Sequence, residues 1–295
     1  MVKDCGSVAI VIVNYNGFED TMECISSLRK ISYPNYKIYV IDNASSKPPR
    51  PETEIYIKEN SEYIQLDTNI GFSGGNNVGI KKALEEKFDF VLLLNNDTVV
   101  SEDFLDTLLD KYNTRKTGLL TCKTYYYDNQ DKPWYCGGEF NFETGLCRHY
   151  TVEENGDTGC DEEVTFASGC IMLLNQSVIR KVGLMSEDYF LYCEDTDYCV
   201  RVLNAGFRIL YTPQTHIYHK VSASTGNKSP LNQYYYVRNS LYIIDQYARN
   251  KLRGKISFLA ARFKDVVRKR MSPGYVLLGV KDYLFKCKGK AKYFG

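Results

Sequence analysis

The sequence predicts an α/β protein built on an open, mostly parallel sheet with helices on both faces. Three observations carry that expectation. Val8-Ala-Ile-Val-Ile-Val13 and Lys37-Ile-Tyr-Val-Ile-Asp42 are continuous apolar runs, the pattern of strands buried on both sides. Between them, Met22, Ile25 and Leu28 recur at helical spacing and Pro34 follows, which makes a βαβ unit with a right-handed crossover. Leu92-Leu-Leu-Asn-Asn-Asp97 then breaks a third apolar run with two amides and a carboxylate, at the strand end where open sheets bind ligands.

The remaining elements follow in order. A weaker strand over 63–66 leads into a Gly/Asn-rich loop, a helix from about Asn76 to Glu86, and the strand Phe88 to Leu94. From Thr121 to Thr165, aromatic, Gly and polar residues mix with little helical period, which predicts hairpins and a substrate-facing insertion. Residues 164–174 return to strand and 175–182 to a short helix. Tyr192, Thr196, Cys199 and Leu203 share a helical stripe that stops at Gly206. Arg208 to Thr212 reads as a strand, with His216 and His219 after it. The expected division is a catalytic domain over 1–228 and a helical extension over 229–295.

Bulk properties narrow the function. The 295 residues are 44% hydrophobic and 25% charged, with a formal net charge of +1, which argues against a nucleic-acid partner. The balance is uneven: thirteen basic residues stand against two acidic ones from Lys251 onward, a net of +11 that leaves −10 for the rest. Ten irregularly spaced cysteines match no zinc pattern and suit reduced, buried thiols of a cytoplasmic protein. The opening stretch lacks the length of a secretory signal, and no run approaches the roughly 20 apolar residues of a membrane span. The expected location is the cytoplasm, at most peripheral on the inner face of the membrane.

The polar turns carry the chemistry. Asn14-Tyr-Asn-Gly17 and Asp42-Asn-Ala-Ser45 follow neighbouring strands and would flank a nucleotide, with Asp42 accepting a hydrogen bond from a base or ribose. The Gly-x-Gly-x-x-Gly pattern of dinucleotide folds is missing after the first strand, which disfavours NAD. Asn69-Ile-Gly-Phe-Ser-Gly-Gly-Asn76 reads either as a phosphate-type loop at a helix start or as a tight turn with a cap. Asp97 suits a divalent cation bridging two phosphates, with Asn95 and Asn96 as neutral oxygen donors and His219 as a second ligand. Glu194-Asp195-Thr196-Asp197 opens a helix directly after Tyr189-Phe-Leu-Tyr192, and aromatic shielding can raise a carboxylate into the range of a general base. Acidic residues in a first helical turn, and an Asp197 to Arg201 bridge, also have a purely structural explanation.

Taken together and in this order, Asn14-Tyr-Asn, Asp42-Asn, Asn69-x-Gly-x-x-Gly-Gly-Asn, Asn95-Asn-Asp97, Ala167-Ser-Gly169, Glu194-Asp195-x-Asp197 and His219 resemble the family 2 glycosyltransferases of the GT-A fold. The rhamnosyltransferase group is the most similar part of that family. The resemblance covers roughly residues 7 to 240 and implies inverting transfer of a sugar from a UDP- or dTDP-linked donor to a glycan or lipid-linked acceptor. It implies Mg²⁺ or Mn²⁺ at Asp97 and His219, and Asp195 as the base that takes the acceptor proton. Asn14, Asp42, Asn69, Gly71, Gly74, Asn76, Asn96 and Asp97 fall to the nucleotide and donor, and Ser168, Gly169 and Glu194 to the sugar and acceptor pocket. The family's Asp-x-Asp is Asn95-Asn96-Asp97 here, leaving one carboxylate. Tyr234-Tyr-Tyr-Val-Arg-Asn239 is similar to the segment after the metal histidine, with Arg238 reaching toward the diphosphate.

Past that segment, Leu252, Ile256, Leu259, Phe263, Val266 and Val267 form an apolar stripe with basic residues largely opposite. Two readings stay open for 251–270: packing on the catalytic domain, or contact with an anionic membrane surface. A non-catalytic nucleotide-binding or membrane-surface module on the same fold is the competing function. A sugar-phosphate nucleotidyltransferase is disfavoured, because Asn14-Tyr-Asn-Gly-Phe18 is not the Gly-rich, Arg-containing loop of that group.

Overall fold

The computed structural model describes residues 6–112, 116–150, 159–221 and 229–293. Its first half alternates as expected: β1 (Val8–Asn14), α1 (Phe18–Leu28), β2 (Tyr36–Asp42), α2 (Pro51–Asn60), β3 (Glu62–Gln65), α3 (Gly71–Glu85), β4 (Phe90–Leu94), β5 (Thr98–Val100) and α4 (Phe104–Lys111). Then come β6 (Thr117–Tyr126), β7 (Asn129–Tyr135), β8 (Gly138–Asn141), β9 (Leu146–His149), β10 (Glu162–Val164), β11 (Ile171–Asn175), α5 (Gln176–Val182), α6 (Glu194–Asn204) and β12 (Arg208–His219). Three helices follow: α7 (Pro230–Tyr247), α8 (Lys251–Val267) and α9 (Pro273–Leu284).

The main sheet runs β10-β12-β6-β11-β4-β1-β2-β3. Strands β3, β2, β1 and β4 are parallel, with Asn14 level with Asp42 at the ligand-binding end. Beyond β4 the sheet is mixed, because β11 is antiparallel to both β4 and β6 while β12 runs parallel to β6. The side-chain period of two sorts β1 between two cores. Ile10 and Ile12 pack with Cys24, Ile25 and Leu28 of α1, whereas Val11 joins Ile80 and Ala83 of α3 on the other face.

Four local expectations are corrected. The Gly/Asn-rich segment is mostly helix: α3 begins at Gly71, not near Asn76. A Cβ on Gly75 would stand 2.8 Å from Val13 Cγ1, and one on Gly79 2.3 Å from Val11 Cγ1, so these glycines let the helix lie close on β1. Residues 165–170 are not strand, since β11 starts only at Ile171, and residues 189–193 precede α6 as irregular backbone. His216 and His219 lie within β12 rather than after it.

Helices α8 and α9 pack on α7 through Phe258, Val276 and Val280 against Val237, Leu241 and Ile244. Gly254 makes the α8 approach close, its position leaving no room for a Cβ beside the Thr144 carbonyl. No helix among the described residues is long and apolar enough to cross a membrane. The nine described cysteines are all free thiols.

Candidate active site

Asp97 and His219 are 122 positions apart in sequence and are joined by a short pairing. Strand β5, directly after Asp97, runs antiparallel to the end of β12 with Thr98 opposite His219, and Lys220 N–H donates to the Asp97 carbonyl at 3.0 Å. The side chains meet: His219 Nε2 lies 3.1 Å from Asp97 Oδ1, both about 7% exposed. Trp134 packs edge-on to the His219 ring with centroids 4.7 Å apart. His219 Nδ1 and the Asn95 side-chain oxygen are buried without a hydrogen-bond partner among the described residues. The carboxylate and imidazole, with the unpartnered Asn95 oxygen on the same cavity wall, are donors of the kind that suits Mg²⁺ or Mn²⁺. No cluster of three or more acidic, His or Cys ligands occurs among the described residues, so further coordination would fall to substrate oxygens and water.

Asp195 is carried by a strained turn. Tyr192 and Cys193 have φ of 67° and 72°, two consecutive left-handed residues without the freedom of glycine. Asn239 of α7, fully buried, holds the turn by donating its side-chain amide to the Leu191 and Tyr192 carbonyls, each at 2.9 Å. Helix α6 then begins, and Asp195 accepts the Gly169 N–H at 3.1 Å on one oxygen and the Thr196 N–H at 2.7 Å on the other. Burial raises the Asp195 carboxyl above its ordinary range, against the pull of those two amides and of His149. Glu194 is pushed up further, by burial and then by the neighbouring Asp195 charge, and its Oε2 has no partner among the described residues. Asp197 is structural: Arg201 Nε donates to it at 2.8 Å and Tyr247 O–H at 2.6 Å.

These groups share a cavity of about 780 Å³. Asn69, Gly71, Asn96, Asp97, Ser168, Gly169, Glu194, Asp195 and His219 all lie on its wall. Asn14, Asp42, Gly74 and Asn76 do not. The Asn14 side chain is fully buried, donating to Asp42 at 2.8 Å and accepting from Gly17 N–H and Thr21 O–H, so it ties the ends of β1, β2 and α1 together. Asp42 is likewise buried, and its carboxylate also accepts from Ser45. Gly74 packs on Ile70, and Asn76 donates back to the Phe72 carbonyl in its own helix. Arg238 does not reach the cavity: it is fully buried, with its guanidinium on Asn239, Tyr234 and the Gly289 carbonyl.

Sequence reasoning missed several residues on this wall. Asn43 accepts from Ile70 N–H and donates to the Gly71 carbonyl, fixing the Asn69 turn, and its place directly after Asp42 was the available signal. His149 stacks on Phe166 and meets Trp134 edge-on beside Asp195, and burial lowers its pKa. Nothing local in the irregular 121–165 stretch marks these residues, because hairpins β6-β7 and β8-β9 bring them in.

With Asp97 just before β5, His219 at the end of β12 and Asp195 at the start of α6 on one cavity, the mixed sheet and its covering helices have the architecture of the GT-A fold. Solved structures agree on the fold: GalNAc-T7 with UDP, GalNAc and Mn²⁺ superposes with a TM-score of 0.67 at 17% identity, over 96% of this chain and 56% of that one. The mannosyltransferase PcManGT from Pyrobaculum calidifontis, in complex with GDP-Man and Mn²⁺, gives 0.60 at 9% identity over 95% and 88%. The chain belongs to glycosyl transferase family 2, whose profile matches residues 9–183. Among relatives, it is 26% identical over 206 residues to the low-salt glycan biosynthesis hexosyltransferase Agl10 of Haloferax volcanii, covering 68% of this chain and 63% of Agl10. It is 25% identical over 252 residues to the dTDP-rhamnosyl transferase RfbF of Shigella flexneri, covering 81% and 80%. It is 27% identical over 225 residues to the rhamnosyltransferase WbbL of Escherichia coli K12, covering 72% and 83%.

Proposed function

We propose that the protein is an inverting glycosyltransferase that moves a sugar, rhamnose in the reading the relatives favour, from a UDP- or dTDP-linked donor to a hydroxyl of a glycan or lipid-linked acceptor. The observation that carries this is the sharing of one cavity by the Asp97/His219 pair and Asp195. Direct displacement needs a base on the acceptor side and charge neutralisation on the leaving-group side. Asp195, raised by burial, takes the acceptor proton as its oxygen attacks the anomeric carbon, and the bond to the diphosphate breaks with its electron pair. Gly169 and Thr196 amides hold that carboxylate in one orientation. Asp97 and His219 would hold Mg²⁺ or Mn²⁺, which supplies positive charge to the departing diphosphate.

In this proposal residues 1–228 form the catalytic domain, and 229–295 an extension that rests on an anionic membrane surface through 251–270. Gly254 and Phe258 face α7, while Leu252, Ile256, Phe263 and Val267 on the other side of α8 are 60–70% exposed. An outward apolar stripe flanked by Arg253, Lys264 and Arg268 suits the headgroup region of an anionic bilayer, such as the cytoplasmic leaflet. The non-catalytic alternative gives no account of a shielded carboxylate on one cavity with a buried carboxylate–imidazole pair. The test is release of nucleoside diphosphate from dTDP-rhamnose and from a panel of UDP-sugars, with Mn²⁺ and a lipid-linked glycan acceptor. Acceptor-dependent release with inverted anomeric configuration supports the reading; a protein that binds donors but turns none over overturns it.

A further inference from the structure

We infer that Lys290 is the side-chain cation of the donor site, delivered to the cavity by a strap of C-terminal chain. The inference rests on the nucleotide-sugar reading above. After α9 the chain turns back onto the catalytic domain and is pinned at nearly every residue. Tyr242 O–H donates to the Cys287 carbonyl at 3.0 Å, and Lys288 pairs with Asp188 at 2.6 Å. Gly289 N–H donates to the Asp188 carbonyl at 2.8 Å, and Ala291 N–H to Tyr235 Oη at 2.7 Å. Arg238, which the family resemblance directed toward the diphosphate, instead donates to the Gly289 carbonyl at 2.9 Å, so it fastens the strap.

Lys290 thus sits between two fixed residues, and its side chain lines the cavity with Nζ 6.0 Å from the Phe190 ring centre. It makes no ion pair among the described residues. The other Lys or Arg side chain on the cavity wall, Arg148, pairs with Glu139 at 3.1 Å. The cavity wall carries the Asp97 and Asp195 carboxylates and the Glu194 acid, an unwelcoming surface for a diphosphate. The start of α3 gives limited help, because Gly71 N–H is taken by Asn69 Oδ1 and Phe72 N–H by the Phe190 carbonyl. One bound divalent ion and Lys290 would together supply the positive charge that the rest of this wall lacks.

The experiment measures binding of UDP, dTDP and GDP, and of uridine, thymidine and guanosine, to the full chain in Mn²⁺-free buffer and again with Mn²⁺. Wild type is compared with Lys290→Gln and Lys290→Arg. The expected result is a loss of about tenfold in diphosphate affinity for Lys290→Gln, the size of one charge-assisted hydrogen bond. Nucleoside affinity stays at the wild-type level, and Lys290→Arg keeps most of the diphosphate affinity. Equal diphosphate affinity in wild type and Lys290→Gln, or a parallel loss for the nucleosides, overturns the inference. Wild-type protein that binds none of the diphosphates brings down the nucleotide-sugar reading, and this assignment with it.

Discussion

Asp195 and Gly169 are joined by a 3.1 Å hydrogen bond from the Gly169 amide to one carboxylate oxygen, while the other oxygen accepts from Thr196. The carboxyl is therefore oriented without being neutralised, and burial keeps its proton affinity high. Only the ionised form accepts a proton, so activity falls as pH drops through this raised pKa. The acidic limb of kcat/KM is expected above the ordinary Asp value of about 4. Asp195→Asn is expected to lower kcat by roughly 10²- to 10⁴-fold with donor affinity kept. A variant retaining near-normal turnover would remove Asp195 from the base role.

Glu194 gives a stability prediction of definite sign. Its folded-state pKa is raised, so the native chain holds a proton where the unfolded chain has lost it. Stability is full below the unfolded pKa and declines as pH rises through the folded one. Glu194→Gln removes that decline. Its melting temperature relative to wild type is expected to climb between pH 5 and pH 8, and a pH-independent difference would contradict the assignment.

Asp97→Ala and His219→Ala are expected to weaken Mn²⁺ binding by about tenfold or more, the loss that supporting partners of metal ligands alone command. Titration calorimetry or Mn²⁺ electron paramagnetic resonance reads this directly. Unchanged Mn²⁺ affinity in both variants would place the cation elsewhere.

Asn239 acts on Asp195 through the backbone. Replacing it with Ala leaves the Leu191 and Tyr192 carbonyls without their donor, at a cost of about 1–3 kcal/mol in stability. Because the turn also aims α6, kcat is expected to fall more than KM rises. A stability loss with an unaltered kcat would make Asn239 a folding residue only.

The outward face of α8 is tested with vesicles. Leu252→Asp combined with Phe263→Asp is expected to lower binding to phosphatidylglycerol-containing vesicles by roughly tenfold or more, since each large apolar side chain contributes about 1.5–3 kcal/mol when buried. Melting should stay near wild type, as both side chains are 70% exposed. Wild-type binding that ignores anionic lipid would argue for another occupant of this face.

Much of this architecture was legible because β1, β2 and β4 are buried on both faces and read as unbroken apolar runs. The turn after β4 follows from its strand end, so Asp97 could be named in advance, while Asn69 and Asp195 were marked by the Gly/Asn-rich and acidic runs at helix starts. Other features were set by distant partners. The glycines of α3 look like a phosphate loop locally, and only the closeness of Val11 and Val13 reveals them as packing contacts. Asn14 and Asp42 are polar at a strand end, yet they satisfy each other, which a linear pattern does not distinguish from ligand binding. Trp134, His149 and Lys290 arrive from hairpins and a terminal strap, whose destinations depend on tertiary contacts.

The short pairing of β5 with the last turn of β12 has a consequence for assembly. Asp97 emerges early in the chain, but its histidine neighbour joins only when the far edge of the sheet closes more than a hundred residues later. A partly folded chain lacking that closure would hold the two halves of the proposed cation site apart, so strong chelation would be a late gain in folding and a direct readout of its completion.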